Sequence, residues 1–482
     1  MHMATSLTYQ DFEKADDIGR FVLSAIQAHR NSDAYKLAVT ADEYDRQENT
    51  TISQYARVLY GMGTSVDPDT GQKRSTVQQA EDITASNNRI ASNFFNRLLT
   101  QRVQYSMGAG ISFVQPDEVQ LGIDETKESL GKDFDHVMSE CAYNALKHKE
   151  SFAFWNLDRV HCFKFTEFAP LYDENTGALR AGVRFWQMDS TKPLNATLYA
   201  EDGFSEWRSR DGKMTPLDRD GNPTSSEVRQ AYRTTVAYVP ADDAVTIVGE
   251  ENYGVLPIVP MWACRLKQSA LIGMRGAIDA YDLIKSGFAN DLQDCATVYW
   301  IVENAGGMSD SDMSEFRDRL RIEHIAKVDG MDGAKATPHT QEIPYQARQA
   351  LLKELREGIY EDFGALDVHA VSAGATNDHI DAAYQPLDEN AADFEYWVGE
   401  CITQLLALQG IDDSPIFQRT RISNQKEQVE MVVQEAQWLD AATILRKLPN
   451  VRPDEVQAIL EGMEGEDMSR FGDVPDEVPP MQ

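Results

Sequence analysis

The spacing of apolar residues changes period several times along the chain, and each change predicts an element. Up to about residue 60, Phe12, Phe21, Val22 and Ile26 recur at helical intervals that give one apolar face. Residues 62–80, MGTSVDPDTGQKRSTVQQA, are polar and read as a loop. A strong helix is predicted over ASNNRIASNFFNRLLTQRVQYSMGAG, carrying Ile90, Phe94, Leu98 and Val103, with Phe95 and Leu99 beside them and Gly108 and Gly110 at its end. A further helix covers about 132–148.

From 151 to 265 the period becomes that of strands. SFAFWNLDRVHCFKFTEFAPLYD, LRAGVRFWQMD, TTVAYVP, AVTIVGE and GVLPIVPMWACR are β-rich, punctuated by the turn signals Asn175-Thr-Gly177 and Asp220-Gly-Asn-Pro223. Helical spacing returns in GAIDAYDLIKSGFANDLQDCATVYWIVENAGG (276–307), where Ile278, Tyr281, Ile284, Phe288 and Leu292 fall three or four apart. The pattern then switches to a strand, Val298 to Val302. A short capped helix follows in SDSDMSEFRDRLRIEH, and short strands are expected to bracket VDGMDGAKATPHTQEI. Pro344 suits the start of the next helix, whose stripe is Ala347, Leu351, Leu355, Ile359 and Phe363. A loop of small residues, DVHAVSAGATNDHID, leads to helices over 384–409 and 423–462, joined by DDSPIFQRTRIS. The Pro- and Gly-containing acidic tail reads as disordered.

At 482 residues with 42% hydrophobic content, the chain is long enough for two to four folded domains. It has no apolar run near eighteen residues, so no membrane span is expected, and its first residues have no signal-peptide core. His2-Met3 resembles a cloning remnant. The five cysteines, at 141, 162, 264, 295 and 401, form no CxxC, which argues against a disulfide framework or zinc site and for packing roles in a reducing cytoplasm. The net charge of −33 argues against a protein that grips a nucleic-acid backbone through Lys and Arg. It suits solubility, or the passage of a polyanion without sticking.

Candidate chemistry is sparse. The sequence has no GxxxxGK[ST], HExxH, GxSxG or GxGxxG after a strand. DPDTG (67–71) and DRDG (218–221) resemble pieces of calcium loops without the later ligands, and read as turns. His369 and His379 share one loop. The i,i+3 pairs Asp279/Asp282 and Asp291/Asp294 leave open a metal-dependent enzyme built on helix 276–296, against a solvated acidic face. A generic acidic scaffold is a third reading. No cofactor is expected.

Four segments, in order, resemble the portal proteins of tailed bacteriophages, in the branch typical of long, non-contractile tails. NNRIASNFFNRLLTQRVQYSMGAGISF is similar to the family's N-terminal helix and its Gly-Ala-Gly exit. HKESFAFWNLDRVHCFKFTEFAPLYDENTGALRAGVRFW is similar to its paired strands. GVLPIVPMWACRLKQSALIGMRGAIDAYDLIKSGFANDLQDCATVYWIV is the most specific, with Ile278, Asp279, Tyr281, Asp282, Ser286, Asn290 and Asp294 at the family's positions. LDAATILRKLPNVRPDEVQAILE is similar to its C-terminal segment. The resemblance covers roughly 86–462. It departs where Met261-Trp-Ala-Cys264 replaces two asparagines, and where the loop after Phe363 lacks a Ser-x-x-Pro start.

The resemblance implies an α+β portal fold with a mixed α/β wing, a helical stem, a small α/β clip and a helical C-terminal crown. The implied divisions are an N-terminal wing region (1–265), first stem helix (266–296), clip (297–343), second stem helix (344–363), tunnel loop (364–377), wing helix and strand (378–430), crown (431–466) and acidic tail (467–482). It implies a homo-oligomer of about twelve chains at one capsid vertex, through which double-stranded DNA enters and leaves. Implied partners are the terminase large subunit, which hydrolyses the ATP, the head–tail adaptor, and the major capsid and scaffolding proteins, in the virion and, during assembly, the host cytoplasm. The stem would carry Asp279, Asp282, Lys285, Asp291, Asp294, Lys353 and Arg356, the carboxylates repelling phosphate from the lumen and the cations supplying limited counter-charge or helix pairs. The clip would use Val298, Tyr299, Trp300, Ile301 and Val302. The tunnel loop, rich in Gly364, Ala365, Ala373, Gly374 and Ala375, would bring Asp367, Val368, His369, Ser372 and Asn377 to the DNA. A stem helix of about 27 residues would span about 40 Å.

Overall fold

The computed structural model describes residues 7–56, 58–66, 73–81, 86–113, 124–210, 212–239, 244–295, 299–303, 335–339, 345–368 and 377–420, with single positions or short runs at 309, 311, 314, 429, 432–434, 443–445 and 459–460. The short helix at 309–324, Pro344 and most of 423–462 therefore lie outside the described residues. The chain divides into two compact units: residues 1–46, 93–274 and 360–482 form the first, and 47–92 with 275–359 the second. Helix and strand are mixed, as the α+β reading expects.

In the first unit, helices α1 (Tyr9–Glu13), α2 (Ile18–Asn31) and α3 (Asp33–Asp45) open the chain, and each begins on a side-chain cap from Thr8, Asp17 or Ser32. Strands β6 (Phe168–Tyr172), β7 (Leu179–Trp186), β8 (Asn195–Ala200), β9 (Gly203–Arg210) and β10 (Lys213–Pro216) form an antiparallel meander in that order. Phe21, Val22, Ala25 and Ile26 of α2 pack on its face with Leu171, Val183, Leu198 and Trp207. The helix sits so close that a Cβ on Gly19 would lie 2.8 Å from the Met214 carbonyl oxygen. Strand β9 escapes the sequence pattern because two of its inward positions are Gly203 and Ser205, with Trp207 its single large inward residue. The Asp173 and Asp218 carboxylates accept backbone N–H groups of their own turns, so DRDG is a turn.

A second sheet orders β13 (Ile258–Met261), β4 (Ser151–Asn156) and β5 (Arg159–Lys164). Its Phe152, Phe154 and Phe163 build an aromatic core with Phe168, Tyr199 and Tyr232. The hairpin of β11 (Arg233–Val239) and β12 (Ala244–Glu251) stands as a separate two-stranded sheet. Helices α5 (Phe94–Met107), α6 (Glu125–Ser129) and α7 (Phe134–His148) complete this part of the unit, with a short pair of β3 (Ile111–Ser112) and β16 (Ile416–Phe417). α5 starts at Phe94, so the helix expected from residue 85 is too long at its N-terminus. Cys141, Cys162, Cys264 and Cys401 are unbridged.

The second unit contains α4 (Thr50–Ser53) and a hairpin of β1 (Val58–Val66) with β2 (Lys73–Glu81). This hairpin corrects the polar loop expected at 62–80. Polarity concealed it, because a two-stranded ladder is held by backbone hydrogen bonds and does not require an apolar residue at every second position. β14 (Tyr299–Glu303) pairs antiparallel with β15 (Lys335–His339), which lies inside the VDGMDGAKATPHTQEI segment rather than flanking it. Helix α8 (Leu271–Cys295) and helix α9 (Tyr345–Phe363) each run from one unit's residues into the other's. Helix α10 (Asn377–Ala407) starts earlier than the 384 expected. Among the described residues no helix is long and apolar enough to cross a membrane.

A buried ionic knot ties α3, α5 and α7. Lys147 Nζ lies 2.8 Å from Asp42 and 3.1 Å from Asp45, and His148 Nε2 is 2.8 Å from Asp42. Asp45 also accepts from Tyr143 and Asn96. Burial opposes the Asp42 charge, but the hydrogen bonds from His148 and Lys147 outweigh it and hold its pKa at about 2. Burial lowers the His148 pKa, so its neutral ring donates to Asp42. His29 is buried too, and burial outweighs its bond to the Phe165 carbonyl, lowering its pKa to about 4.

Two acid windows follow. His29 takes a proton more readily unfolded than folded, so stability is expected to fall as pH drops from about 6.5 to about 4, by on the order of 3 kcal/mol. Asp42 contributes stability above its unfolded value near 4, which is lost toward pH 2. His29→Gln keeps a donor for Phe165 and should flatten the first window in urea titrations at stepped pH. Lys147→Met leaves two carboxylates without their cation and should cost on the order of 3 kcal/mol at neutral pH.

Candidate functional site

In the second unit, the most buried face of α8 is polar. Asp282, Ser286 and Asn290 are wholly buried, four residues apart, below the buried Ile278. Of the apolar stripe read from sequence, Tyr281, Ile284 and Phe288 are half-buried and Leu292 is exposed. The polar strip faces residues 88–92, which run extended and antiparallel to α8. The Ser92 N–H donates to Asp282 Oδ1 at 3.0 Å, the Ile90 N–H to Ser286 Oγ at 3.0 Å, and the Asn88 N–H to Asn290 Oδ1 at 2.5 Å. Asn88 Nδ2 adds bonds to Asn290 and Gln293, and Asn49 Nδ2 donates to Asp282 Oδ2 at 2.6 Å.

The spacing explains the match. Every second residue of an extended chain advances about 6.6 Å, and every fourth residue of a helix about 6.0 Å. Alternate strap N–H groups therefore meet successive acceptors on one helix face, and backbone donors are satisfied without a second strand. This is why residues 88–92 do not join α5: the Asn88, Ile90 and Ser92 amides are already engaged.

The acidic pairs separate. Asp282 is enclosed by the strap, so it is neither a lumen carboxylate nor half of a metal pair with Asp279. Burial raises its pKa despite the bonds from Ser92 and Asn49 and the Lys285 charge. Asp279 lies 3.8 Å from Arg275, and Asp291 lies 2.5 Å from Arg348 of α9. Lys285 sits 5.7 Å over the Tyr281 ring, and Lys353 lies 3.7 Å from Glu357. Arg356 lies on α9, where its charge acts on Tyr281. Asp294 belongs to the last turn of α8. Among the described residues no group of three His, Cys, Asp or Glu side chains is placed to hold a metal.

α8 and α9 are antiparallel neighbours, with Phe288 6.1 Å from Tyr345 and Arg348 over Phe288. Of the α9 stripe, Ile359 and Phe363 are buried and Leu355 is half-buried, while Ala347 and Leu351 are exposed in the single chain. The strand run Tyr299, Trp300, Ile301 and Val302 pairs with Ala336–His339, and Val298 lies outside the described residues.

In the first unit, α5 holds the start of the loop after α9. Gln101 brackets Leu366, its Nε2 donating to the Leu366 carbonyl at 2.9 Å and its Oε1 accepting the Leu366 N–H at 3.2 Å. Arg102 donates to the Phe363 carbonyl and stacks 4.0 Å from the Phe363 ring. Gly364 has φ of 62°, and a Cβ there would collide with the Asn390 amide. Leu366 then packs with Tyr105, Ile380, Tyr384 and Leu387. Asp367 and the exposed Val368 follow. His369 and Ser372 lie outside the described residues, and Asn377 opens α10. Sequence reasoning missed Gln101, Arg102, Asn49 and Asn88 as positioning residues. The available signal was the two-residue spacing of Asn88, Ile90 and Ser92 against the four-residue spacing of Asp282, Ser286 and Asn290.

Asp282→Ala leaves the Ser92 N–H and the Asn49 amide without acceptors, at about 1–3 kcal/mol each. Amide exchange over 88–92 should accelerate accordingly. Asp282→Asn keeps an acceptor for Ser92, and Asn49 can turn its amide to accept, so exchange should stay within about threefold of the parent. Because the Asp282 pKa is raised on folding, its share of stability is present at low pH and lost as pH rises through the folded value, a dependence the Asn variant should lack.

A profile for phage portal protein, SPP1 Gp6-like, matches residues 35–468. The portal protein of Clostridium phage phiCD119 is 23% identical over 450 residues, spanning 87% of this chain and 92% of the relative. The portal protein of Bacillus phage SPP1 is 23% identical over 429 residues, spanning 82% and 79%. With the strap-bound helix, the antiparallel helix pair and its strand pair in place, and the acidic pairs dismantled as an enzyme site, the chain belongs to the SPP1 Gp6-like family of phage portal proteins, structural components of the virion and not enzymes.

Proposed function

We propose that the chain is one wedge of a closed ring, probed by double-stranded DNA as it enters and leaves a capsid, with α8 and α9 as the channel wall. The observation that carries this reading is the uncovered apolar side of the helix pair. Leu292, Tyr345 and Leu351 are 53%, 54% and 42% exposed in one chain. A neighbouring copy placed beside the pair would cover them. α8 has 25 residues and so spans about 37 Å, a fitting length for a channel wall.

On this reading residues 1–265 and 378–430 form the wing, 266–296 and 344–363 the stem, 297–343 the clip, 364–377 the tunnel loop and 431–466 the crown. The β14–β15 pair turns the chain at the end of the stem. The anchoring of Phe363 and Leu366 by α5 fixes the root of the tunnel loop while the small residues beyond it approach the duplex. A ring of twelve, with terminase, a head–tail adaptor, and capsid and scaffolding proteins as partners, completes the assignment.

Negative-stain images or mass photometry of the purified chain should show rings of about twelve subunits with a central hole; a stable monomer at all concentrations would overturn the channel reading. Deleting 368–376 should leave rings intact and reduce DNA packaging severalfold. Normal packaging by the deletion would remove the tunnel-loop assignment while leaving the ring in place.

A further inference from the structure

Between β13 and α8, residues 262–270 have no regular structure, and the resemblance to the family breaks at Met261–Cys264. Their two ends are held differently. At the α8 end, Ser269 Oγ donates to the Lys147 carbonyl at 2.5 Å and the Ala270 N–H to the Leu146 carbonyl at 2.9 Å. The middle is tied to α10. The Arg265 N–H donates to Asp393 Oδ2 at 2.9 Å, and Lys267 reaches into an aromatic box.

Lys267 Nζ lies 3.7 Å from the centroid of Trp262 and 4.9 Å from that of Trp397. The two indoles stand edge to face at 6.1 Å, and Tyr396 packs against Trp397 at 5.4 Å with 84° between the rings. One cation thus bridges an indole on the lead-in segment to another on α10. The bridge has a cost. Lys267 has φ of 48°, left-handed backbone that a lysine rarely adopts, inside a turn closed by its own N–H on the Cys264 carbonyl at 3.0 Å. The strain of that conformation and the attraction of an ammonium to two indole faces are of the same order. A contact so balanced opens locally without unfolding its surroundings.

We propose that Lys267, clasped between Trp262 and Trp397, is a latch that holds the lead-in to α8 against α10 and can release without disturbing either helix. The latch stands independently of the channel reading, because it concerns the chain whether or not DNA passes it. Leu266, next to it, is 68% exposed, so apolar packing of its neighbour does not substitute for the clasp.

The test is hydrogen exchange on the full chain in its native assembly, read over 264–272. Lys267→Met keeps most of the apolar stem and removes the charge, and Trp397→Leu removes one indole face. Each should accelerate exchange in that segment by about tenfold while α7 and the β4–β5 strands exchange as before. Lys267→Arg, which keeps a cation for the indoles, should restore protection to within about threefold of the parent. Unchanged exchange at 264–272 in Lys267→Met would overturn the latch. So would acceleration spread evenly through α7 and the sheet, which would make the contact part of the global fold, and so would failure of the arginine variant to protect.

Discussion

The obligation of a buried backbone N–H to find an acceptor organises the second unit. Among the described residues no strand pairs with 88–92, yet three of their alternate amides are bonded, because α8 offers Asp282, Ser286 and Asn290 one turn apart. Once that face is committed to the strap, the rest of α8 is constrained. Its polar side must point inward, and its half-apolar side is left for α9 through Phe288, Tyr345 and the Arg348–Asp291 pair. The exposed Leu292 on α8, one of the positions that suggest a neighbouring copy, follows from this inversion. An ordinary amphipathic helix would have buried it within its own chain.

The first unit solves a different problem, that of holding several thin layers together. Its two larger sheets share aromatic side chains, and charged joints add to the apolar packing of its helices. Lys147 with Asp42 and Asp45 joins α7 to α3, and Arg419 with Asp388 and Glu395 holds the segment after β16 to α10. Asp388 also accepts from Tyr105 at 2.6 Å, so α10 is fixed to α5 near the root of the loop that follows α9. Removing a cation from such a joint is costly because the carboxylates remain. The Tyr105–Asp388 bond adds to the apolar cluster of Leu366, Tyr105, Ile380, Tyr384 and Leu387 in holding the loop root.

Much of this was legible in the sequence, and the failures have a common cause. α8, α9, the first sheet strands and the turn at Gly177 followed from periodicity and turn chemistry; in the strands burial tracks polarity, whereas α8 was legible from an apolar stripe that is for the most part only half-buried. The strap, the β1–β2 hairpin and strand β9 did not, because each is held by backbone hydrogen bonds or by small inward residues, Gly203 and Ser205 in β9, that carry no apolar signal. Asp282 shows the limit most plainly. Its i,i+3 spacing from Asp279 suggested a shared acidic face, yet the two carboxylates serve different partners, one an arginine on the same helix and the other a peptide N–H donated from 190 residues earlier in the chain. Local spacing cannot reveal a partner that far away. The family resemblance named Ser286 and Asn290 without a reason for them, and the strap supplies it.

The charge also takes a different meaning from the bulk figure. A net −33 suggests a channel wall that repels DNA, but screening limits each charge to about 10 Å, so only unneutralised groups near the duplex matter. Asp282 is buried, and Asp279 and Asp291 face arginines. The complementary observation is stronger: Arg275, Arg348 and Lys353 each face a carboxylate. A phosphate backbone is gripped when cations are free to displace its counterions. On the channel reading, cations already matched on their own helix or its neighbour gain little by exchanging a carboxylate for a phosphate. A duplex would then pass Arg275, Arg348 and Lys353 because these cations are occupied, more than because the acids repel.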